Sequence, residues 1–183
     1  MRPVTKIATG LVITFGALRF NGLDLLFDPV GWGLCADGLL RLQRPGDAFA
    51  RAQAWAVGMI PVSLVAVFTG GTPTYEPIRY VIGTAATVGG LVTVWLIADA
   101  LMTRMRSGGG GSQVPLLDVL RWAVAGLGTA GLLAGHGYSE LSPVLLVGWF
   151  IVIVALVVVL YRAAGRPEFS AVPPASDDKV GSG

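Results

Sequence analysis

The 183-residue sequence is poor in charge: 13% of its residues are Asp, Glu, Lys or Arg, whereas 54% are apolar. Soluble domains carry about a quarter charged residues. The few charges cluster in short stretches between long apolar runs, and the mean hydropathy is +0.70. This pattern excludes an ordinary water-soluble domain. It predicts an integral membrane protein with room for one compact helical bundle.

Cysteine and histidine are nearly absent, with one residue of each, Cys35 and His136. A single cysteine excludes an internal disulfide and a cysteine-based zinc site, so we expect a buried, inert thiol. His136 precedes Glu140 by four residues, but flanking glycines argue against the helix that would bring the two side chains together. The sequence also lacks the motifs of phosphate-binding loops, serine hydrolases and zinc proteases. We therefore predict no catalytic residue, no metal and no cofactor, which favours a non-enzymatic protein without settling the point.

The basic residues are dispersed over many loops and form no patch with interleaved aromatic residues. This distribution argues against a nucleic-acid partner. The expected partners are the lipid bilayer and either another membrane protein or a second copy of the chain.

Long apolar runs predict the helices. A spanning helix needs about 20 mainly apolar residues to cross roughly 30 Å of hydrocarbon. Four runs bounded by glycine or proline turns meet this requirement, at 49–69, 78–102, 116–134 and 143–161, and two shorter segments precede them, at 4–20 and 29–42. The sequence thus predicts an all-α six-helix membrane bundle over 1–164. A polar, proline-rich tail over 165–183 is predicted to be disordered in the cytoplasm.

The two short N-terminal helices leave two interpretations open. Asn21-Gly22 favours the end of the first helix, and Asp28-Pro29 favours the start of the second. At 1.5 Å per residue a helix over 29–42 is about 21 Å long, too short to span alone. Either both helices cross, with the segment from Asp24 to Asp28 dipping into the outer face, or they form a re-entrant hairpin. The charge distribution favours six crossings.

The distribution of basic residues predicts the orientation. With the N-terminus in the cytoplasm, eleven basic residues lie inside and only Arg19 and Arg79 lie outside. Cytoplasmic loops are enriched in Lys and Arg. We expect both termini in the cytoplasm, and a re-entrant first pair gives the same orientation. The bias of the basic residues towards Arg is typical of a GC-rich genome. We also predict a multi-pass protein of the bacterial plasma membrane.

Ionisable residues within apolar segments are candidate sites, because each costs at least about 2.5–3.5 kcal/mol inside a membrane. The candidate polar or ion site comprises Arg19, Asp24, Asp28, Asp37, Arg41 and Asp99. Asp37 and Arg41 are four residues apart, on one face of a helix, in the favoured order for an ion pair. The remaining carboxylates have structural and functional interpretations of their own.

Asp99 is expected to meet Arg44, Arg51 or Arg104. Together with Asp37 it forms either structural ion pairs at the inner interface or a proton or cation relay. Asp24 and Asp28 either cap and turn the chain or form a cation or ligand site near the outer face.

Small residues recur at close-packing spacing in two of the predicted helices. Gly131 and Gly135 are four apart, as are Gly83 and Thr87. Such faces let membrane helices approach closely, which predicts internal packing or self-association.

The stretch from Asn21 through Asp24, Asp28 and Trp32 to Leu42 resembles a pattern in small bacterial polytopic membrane proteins of unknown function. In that pattern a first helix ends in an Asn-Gly turn. The next segment contains an aspartate, leucines, a proline or aspartate, and a glycine followed by an aromatic residue. This segment begins a short second helix. Here Phe27 stands where a proline is expected. The resemblance implies the hairpin geometry and no activity.

These observations favour a non-enzymatic structural or partner-modulating membrane protein. The alternative is a small transporter or channel component with an intramembrane carboxylate relay, formed by the four aspartates of the candidate site. An enzyme acting on lipid substrates ranks third, since the paired acidic or histidine motifs typical of such enzymes are absent.

Overall fold

The computed structural model describes residues 1–16, 28–44, 46–70, 76–108, 113–134 and 142–165, together with Phe169. Within these ranges the chain is helical and forms no strand. The helices are α1 (Pro3–Gly16), α2 (Asp28–Leu42), α3 (Ala48–Gly70), α4 (Glu76–Ser107), α5 (Val114–Ala134) and α6 (Ser142–Ala163). The predicted all-α six-helix bundle is confirmed. The fourth helix continues to Ser107, five residues past its predicted end at 102, because the basic residues after the apolar run extend it instead of ending it.

Helix length separates the bundle into two classes. Helices α3 to α6 are each long and apolar enough to cross a membrane. Helix α4, with 32 residues, is about 48 Å long. Helices α1 and α2, with 14 and 15 residues, reach only about 21 and 22 Å. The chain is thus a multi-pass membrane protein whose first two helices stop short of a full span over their described lengths.

The six helices close into a ring. Each packs mainly on its neighbours in sequence, and α1 also packs on α6. Arg2 Nη1 donates to the carbonyl of Ala164 at 3.0 Å, so the start of α1 meets the end of α6. Further contacts join Lys6 to Asp37, Asp47 to Arg104 and Arg121 to Asp99. The starts of α1, α3 and α5 and the ends of α2, α4 and α6 therefore share one end, here called the basic end.

The core is concentrated near the basic end. On α4, large apolar side chains are buried between Val94 and Met105, whereas Tyr80 and Val81, towards the other end, are exposed. Helix α6 follows the same pattern, because its buried apolar side chains begin at Ile153. The half of the bundle remote from the basic end is therefore more open.

Glycines bring α1 and α2 into backbone contact. A Cβ added at Gly10 would lie 2.5 Å from the carbonyl oxygen of Gly31, and one at Gly38 would lie 2.7 Å from that of Pro3. A Cβ at Gly31 would collide with Thr14 Oγ1. Cys35 lies in the same interface and is buried as a free thiol, as expected. The two short helices therefore form a tightly packed antiparallel pair.

Several predicted features lie outside the described residues. These are the Asn21-Gly22 turn, His136 with Glu140, and most of the predicted disordered tail. Phe169, within that tail region, is buried in the hydrophobic core cluster.

Candidate functional site

The structure places four of the six candidate residues. Arg19 and Asp24 lie outside the described residues. Asp37, Arg41 and Asp99 lie towards the basic end, whereas Asp28 lines a cavity in the more open half of the bundle. The four described candidates therefore do not form one site.

Asp37 bridges α1 and α2. Arg41 Nε donates to both carboxylate oxygens of Asp37 at 3.2 Å, which is the pair expected from the four-residue spacing. Lys6 Nζ donates to Asp37 Oδ2 from α1. Sequence reasoning missed Lys6, because its position opposite Asp37 depends on the register set by the glycine contacts between the two helices.

Asp99 pairs with a different residue from those predicted. Arg121 Nη1 donates to Asp99 Oδ1 at 3.0 Å, and the guanidinium lies 4.4 Å from the ring centroid of Trp95. The expectation of Arg44, Arg51 or Arg104 was wrong. Helix α5 packs directly on α4, and Arg121 lies in its second turn, close to Asp99.

Arg104 is occupied elsewhere at the same end. It forms an ion pair with Asp47 and lies 4.5 Å from the centroid of the Phe49 ring. Each of these carboxylates thus faces at least one cation from a neighbouring helix. Such pairs tie helix to helix, which is the structural interpretation of Asp37 and Asp99.

A cavity of about 270 Å³ lies between α1, α2, α3, α4 and α6, where the well-packed half of the bundle ends. Its lining residues are Thr14, Phe15, Asp28, Trp32, Met59, Ser63, Ala86, Thr87, Gly90, Leu91 and Trp149. Five of the six helices contribute to it. It is therefore a property of the whole fold and not of one loop.

Three aromatic rings meet at this cavity. The ring of Phe15 stands edge-to-face with Trp32, at a centroid distance of 5.9 Å, and with Trp149, at 5.7 Å. This geometry is preferred because the ring edge of one partner is positive and the face of the other is negative. Phe15 lies near the end of α1 and joins α2 to α6 at this level.

The cavity lining carries both acceptors and donors, because Thr14, Asp28, Ser63 and Thr87 line it together with the indole N–H groups of Trp32 and Trp149. Asp28 is the first residue of α2, where the helix dipole stabilises a negative charge. Ser63 donates to the carbonyl of Met59 at 2.8 Å, and Thr87 donates to that of Gly83 at 2.9 Å. Since the Ser63 and Thr87 hydroxyls each donate a hydrogen bond within their own helix, only their oxygen lone pairs remain for a ligand.

The sequence did not predict that Asp28, Phe15, Trp32 and Trp149 line one cavity. The spacing of Asp28 and Trp32, four residues apart on one helix, was the only local signal. Phe15 and Trp149 reach the cavity through the contact of α1 with α6, which joins the two ends of the chain.

Among the described residues no group of three or more His, Cys, Asp or Glu side chains could hold a metal ion. Comparison of the chain with protein-family models, curated proteins and solved structures gives no match. Function therefore has to be argued from the geometry alone.

Proposed function

We propose that this multi-pass membrane protein resides in the bacterial plasma membrane with both termini in the cytoplasm. In this proposal it acts as a non-enzymatic structural or partner-modulating component. The basic end supports the orientation, since cytoplasmic segments of membrane proteins are enriched in Lys and Arg. Six crossings and a re-entrant first pair both give this orientation. Membership of the small bacterial proteins with an Asn-Gly turn and a short second helix is part of the same proposal.

Glycines that face away from the bundle support the proposal that the chain has a partner. A Cβ added at Gly58, Gly83, Gly126 or Gly131 would meet no atom of another described part of the chain within 4 Å. Internal packing accounts for the glycines between α1 and α2, but not for these four. Small residues on an outer helix surface let a second membrane helix approach closely.

Helix α5 presents the clearest such surface. Val119, Trp122, Gly126, Thr129 and Leu133 are all exposed and recur every three or four residues, so they share one face of the helix. We call these five residues the outer face of α5. Its bulky ends and small centre give the shape that a crossing helix fits, either from another membrane protein or from a second copy of the chain.

Gly126→Leu tests this proposal, because a Cβ at this position meets no atom of the described residues within 4 Å and the added side chain would fill the notch. The full chain is captured from native membranes in mild detergent, and its mass and associated proteins are measured. We expect the wild-type chain to be recovered as a stoichiometric complex and Gly126→Leu to be recovered alone. Helical content and melting temperature establish that the variant is folded.

Val154→Leu on α6 is the matched control, since it enlarges an exposed apolar residue where no glycine notch is present. This variant should keep the wild-type complex. Recovery of the wild-type chain only as a free monomer would contradict the proposal. An undiminished complex with Gly126→Leu would do so too.

The cavity favours a second candidate, a small transporter or channel component. Proton and cation flux into liposomes containing the full chain tests it, with Asp28→Asn as the variant at the cavity. Asp37→Asn and Asp99→Asn test the carboxylate relay specifically. A flux that is absent, or unchanged by all three substitutions, would count against this candidate.

A further inference from the structure

Three exposed arginines at the basic end, Arg44, Arg51 and Arg106, pair with no described carboxylate. We call them the arginine sector and infer that they bind the phosphate group of an anionic phospholipid, with Trp55 beside it. This inference requires only that the chain spans a membrane. It depends neither on the orientation nor on the partner proposed above.

The balance of charge gives the first argument. The carboxylates described at the basic end are all paired with cations of the bundle itself, and they are Asp37, Asp47, Asp99 and Asp118. No described carboxylate is left to neutralise the arginine sector. Its charges therefore face outward and attract an anion from outside the described chain.

Asp47 brings the three arginines into one part of the basic end. Arg44 precedes it in a turn closed by a hydrogen bond from the Asp47 amide to the Arg44 carbonyl, at 3.1 Å. Arg51 follows it by four residues, in the first turn of α3. The Asp47 carboxylate binds Arg104, which lies two residues before Arg106 in the last turn of α4. The arginine sector thus surrounds one ion pair between the start of α3 and the end of α4.

The start of α3 places this sector at the edge of the membrane. The apolar span of α3 is Ala48–Phe68, so Arg51 lies at its edge. Trp55 is 48% exposed and lies one turn deeper, about 6 Å along the helix on the same face. Tryptophan is enriched at the level of lipid headgroups, where its ring meets apolar chains and its N–H meets polar groups. Gly58 and Val65 are exposed and continue this face towards the hydrocarbon.

The chemistry of the sector fits a phosphodiester. A guanidinium binds phosphate oxygens through two parallel hydrogen bonds and keeps its charge at any ordinary pH. Phosphatidylglycerol carries a phosphate without a cation of its own, whereas the choline of phosphatidylcholine is repelled by the arginines. Each basic residue near a membrane surface strengthens the attraction of anionic lipid about fivefold.

The surface next to the sector favours a lipid over a dissolved phosphate ion. The exposed apolar face of α3 beyond Trp55 accommodates acyl chains, which a free phosphate lacks. Arg51 and Trp55, four residues apart, therefore meet the headgroup and the first part of the chains of the same molecule.

Tryptophan fluorescence of the full chain in nanodiscs tests the inference. Phosphatidylcholine in the nanodisc is replaced in steps by phosphatidylglycerol with brominated acyl chains, because bromine quenches the fluorescence of nearby indoles. The same titration with brominated phosphatidylcholine is the reference. We expect phosphatidylglycerol to bind about tenfold or more tightly than phosphatidylcholine. Trp55→Phe should remove the part of the quenching that is selective for phosphatidylglycerol.

Arg51→Gln locates the site, with Arg162→Gln as its matched control. Arg162 is also exposed at the basic end and pairs with no described carboxylate, but α6 lies across the ring from α3. Arg51→Gln should weaken the preference for phosphatidylglycerol about fivefold, and Arg162→Gln by less than about twofold. Combining Arg51→Gln with Arg44→Gln and Arg106→Gln should abolish the preference. Circular dichroism and melting temperature verify that each variant is folded.

Three outcomes would overturn the inference. The first is equal binding of the two lipids by folded wild-type protein. The second is an equal loss in Arg51→Gln and Arg162→Gln, which would mean that positive charge spread over the whole basic end attracts the lipid. The third is displacement of brominated phosphatidylglycerol by about 10 mM glycerol phosphate, which would make the sector a site for soluble phosphates. A failure of the partner proposal with Gly126→Leu would leave this site intact, since that variant lies on α5.

Discussion

Arg121 on α5 reaches back to Asp99 on α4, with Nη1 3.0 Å from Oδ1, while its guanidinium lies against the ring of Trp95. Its other terminal nitrogen, Nη2, lies 2.8 Å from Asp118 Oδ1. The Arg121 side chain is only 18% exposed, so these carboxylates replace contacts that its guanidinium would otherwise make with water. The arrangement joins two spanning helices at the basic end and gives Asp99 a structural role.

Asp99→Ala should therefore destabilise the bundle. Removing the carboxylate leaves a largely buried guanidinium with one partner fewer, and a hydrogen bond to a charged group contributes about 2 kcal/mol. Reversible unfolding in mixed detergent micelles measures the change in the free energy of unfolding. Asp118→Ala is the matched control, because Asp118 contacts Arg121 within the same helix at a spacing of three residues, so its loss breaks no contact between helices and should cost less than about 1 kcal/mol. Equal costs for the two substitutions would contradict this role.

The glycine contact between α1 and α2 predicts opposite effects for two neighbouring substitutions. Gly31→Ala places a methyl group against Thr14 and the Gly10 carbonyl, and overpacking of this kind costs about 2 kcal/mol. The methyl group of Gly33→Ala meets no other part of the described chain within 4 Å, so this substitution should stabilise the helix by up to about 1 kcal/mol. Melting temperatures of the two variants should shift in opposite directions. A fall in the melting temperature of both variants would contradict this prediction, because the effect would then not depend on the contact at Gly31.

The features that could be predicted from the sequence are those that depend on residues close together along the chain. Apolar runs and turn residues are local, so the six helices and the four full spans were predictable. The pair of Asp37 with Arg41 was also local, at one helical turn. The partners Lys6 and Arg121 were not, because they depend on which helices pack together and at what register.

The cavity could not be predicted from the sequence, since its lining comes from five helices. Closure of the ring by α1 and α6 brings Phe15 against Trp149, residues at nearly opposite ends of the chain. The sequence indicated Asp28 as a helix start, which it is. Its aromatic surroundings depend on that closure.

Phe169 predicts that the residues after α6 contribute to stability. Its side chain is 1% exposed and belongs to the core cluster, so Phe169→Ala should cost about 3 kcal/mol. Phe68→Ala is the control, because that side chain is 76% exposed and its loss should change stability by no more than about 0.5 kcal/mol. Thermal unfolding in the same detergent compares them. Equal shifts would mean that Phe169 does not pack in the core under those conditions.

The proposed orientation predicts the location of each loop. The contact of Arg2 with Ala164 places the start of α1 beside the end of α6. Reporters fused at either end of the bundle should therefore give the same result. Activity of a periplasm-specific phosphatase and fluorescence of a cytoplasm-specific protein, fused in turn after Gly108, Gly137 and Gly165, report each side. We expect the first and last positions inside and Gly137 outside, because α5 and α6 each cross once between them. Placement of Gly137 on the same side as Gly165 would contradict a spanning α6, and a basic end found outside would reverse the orientation.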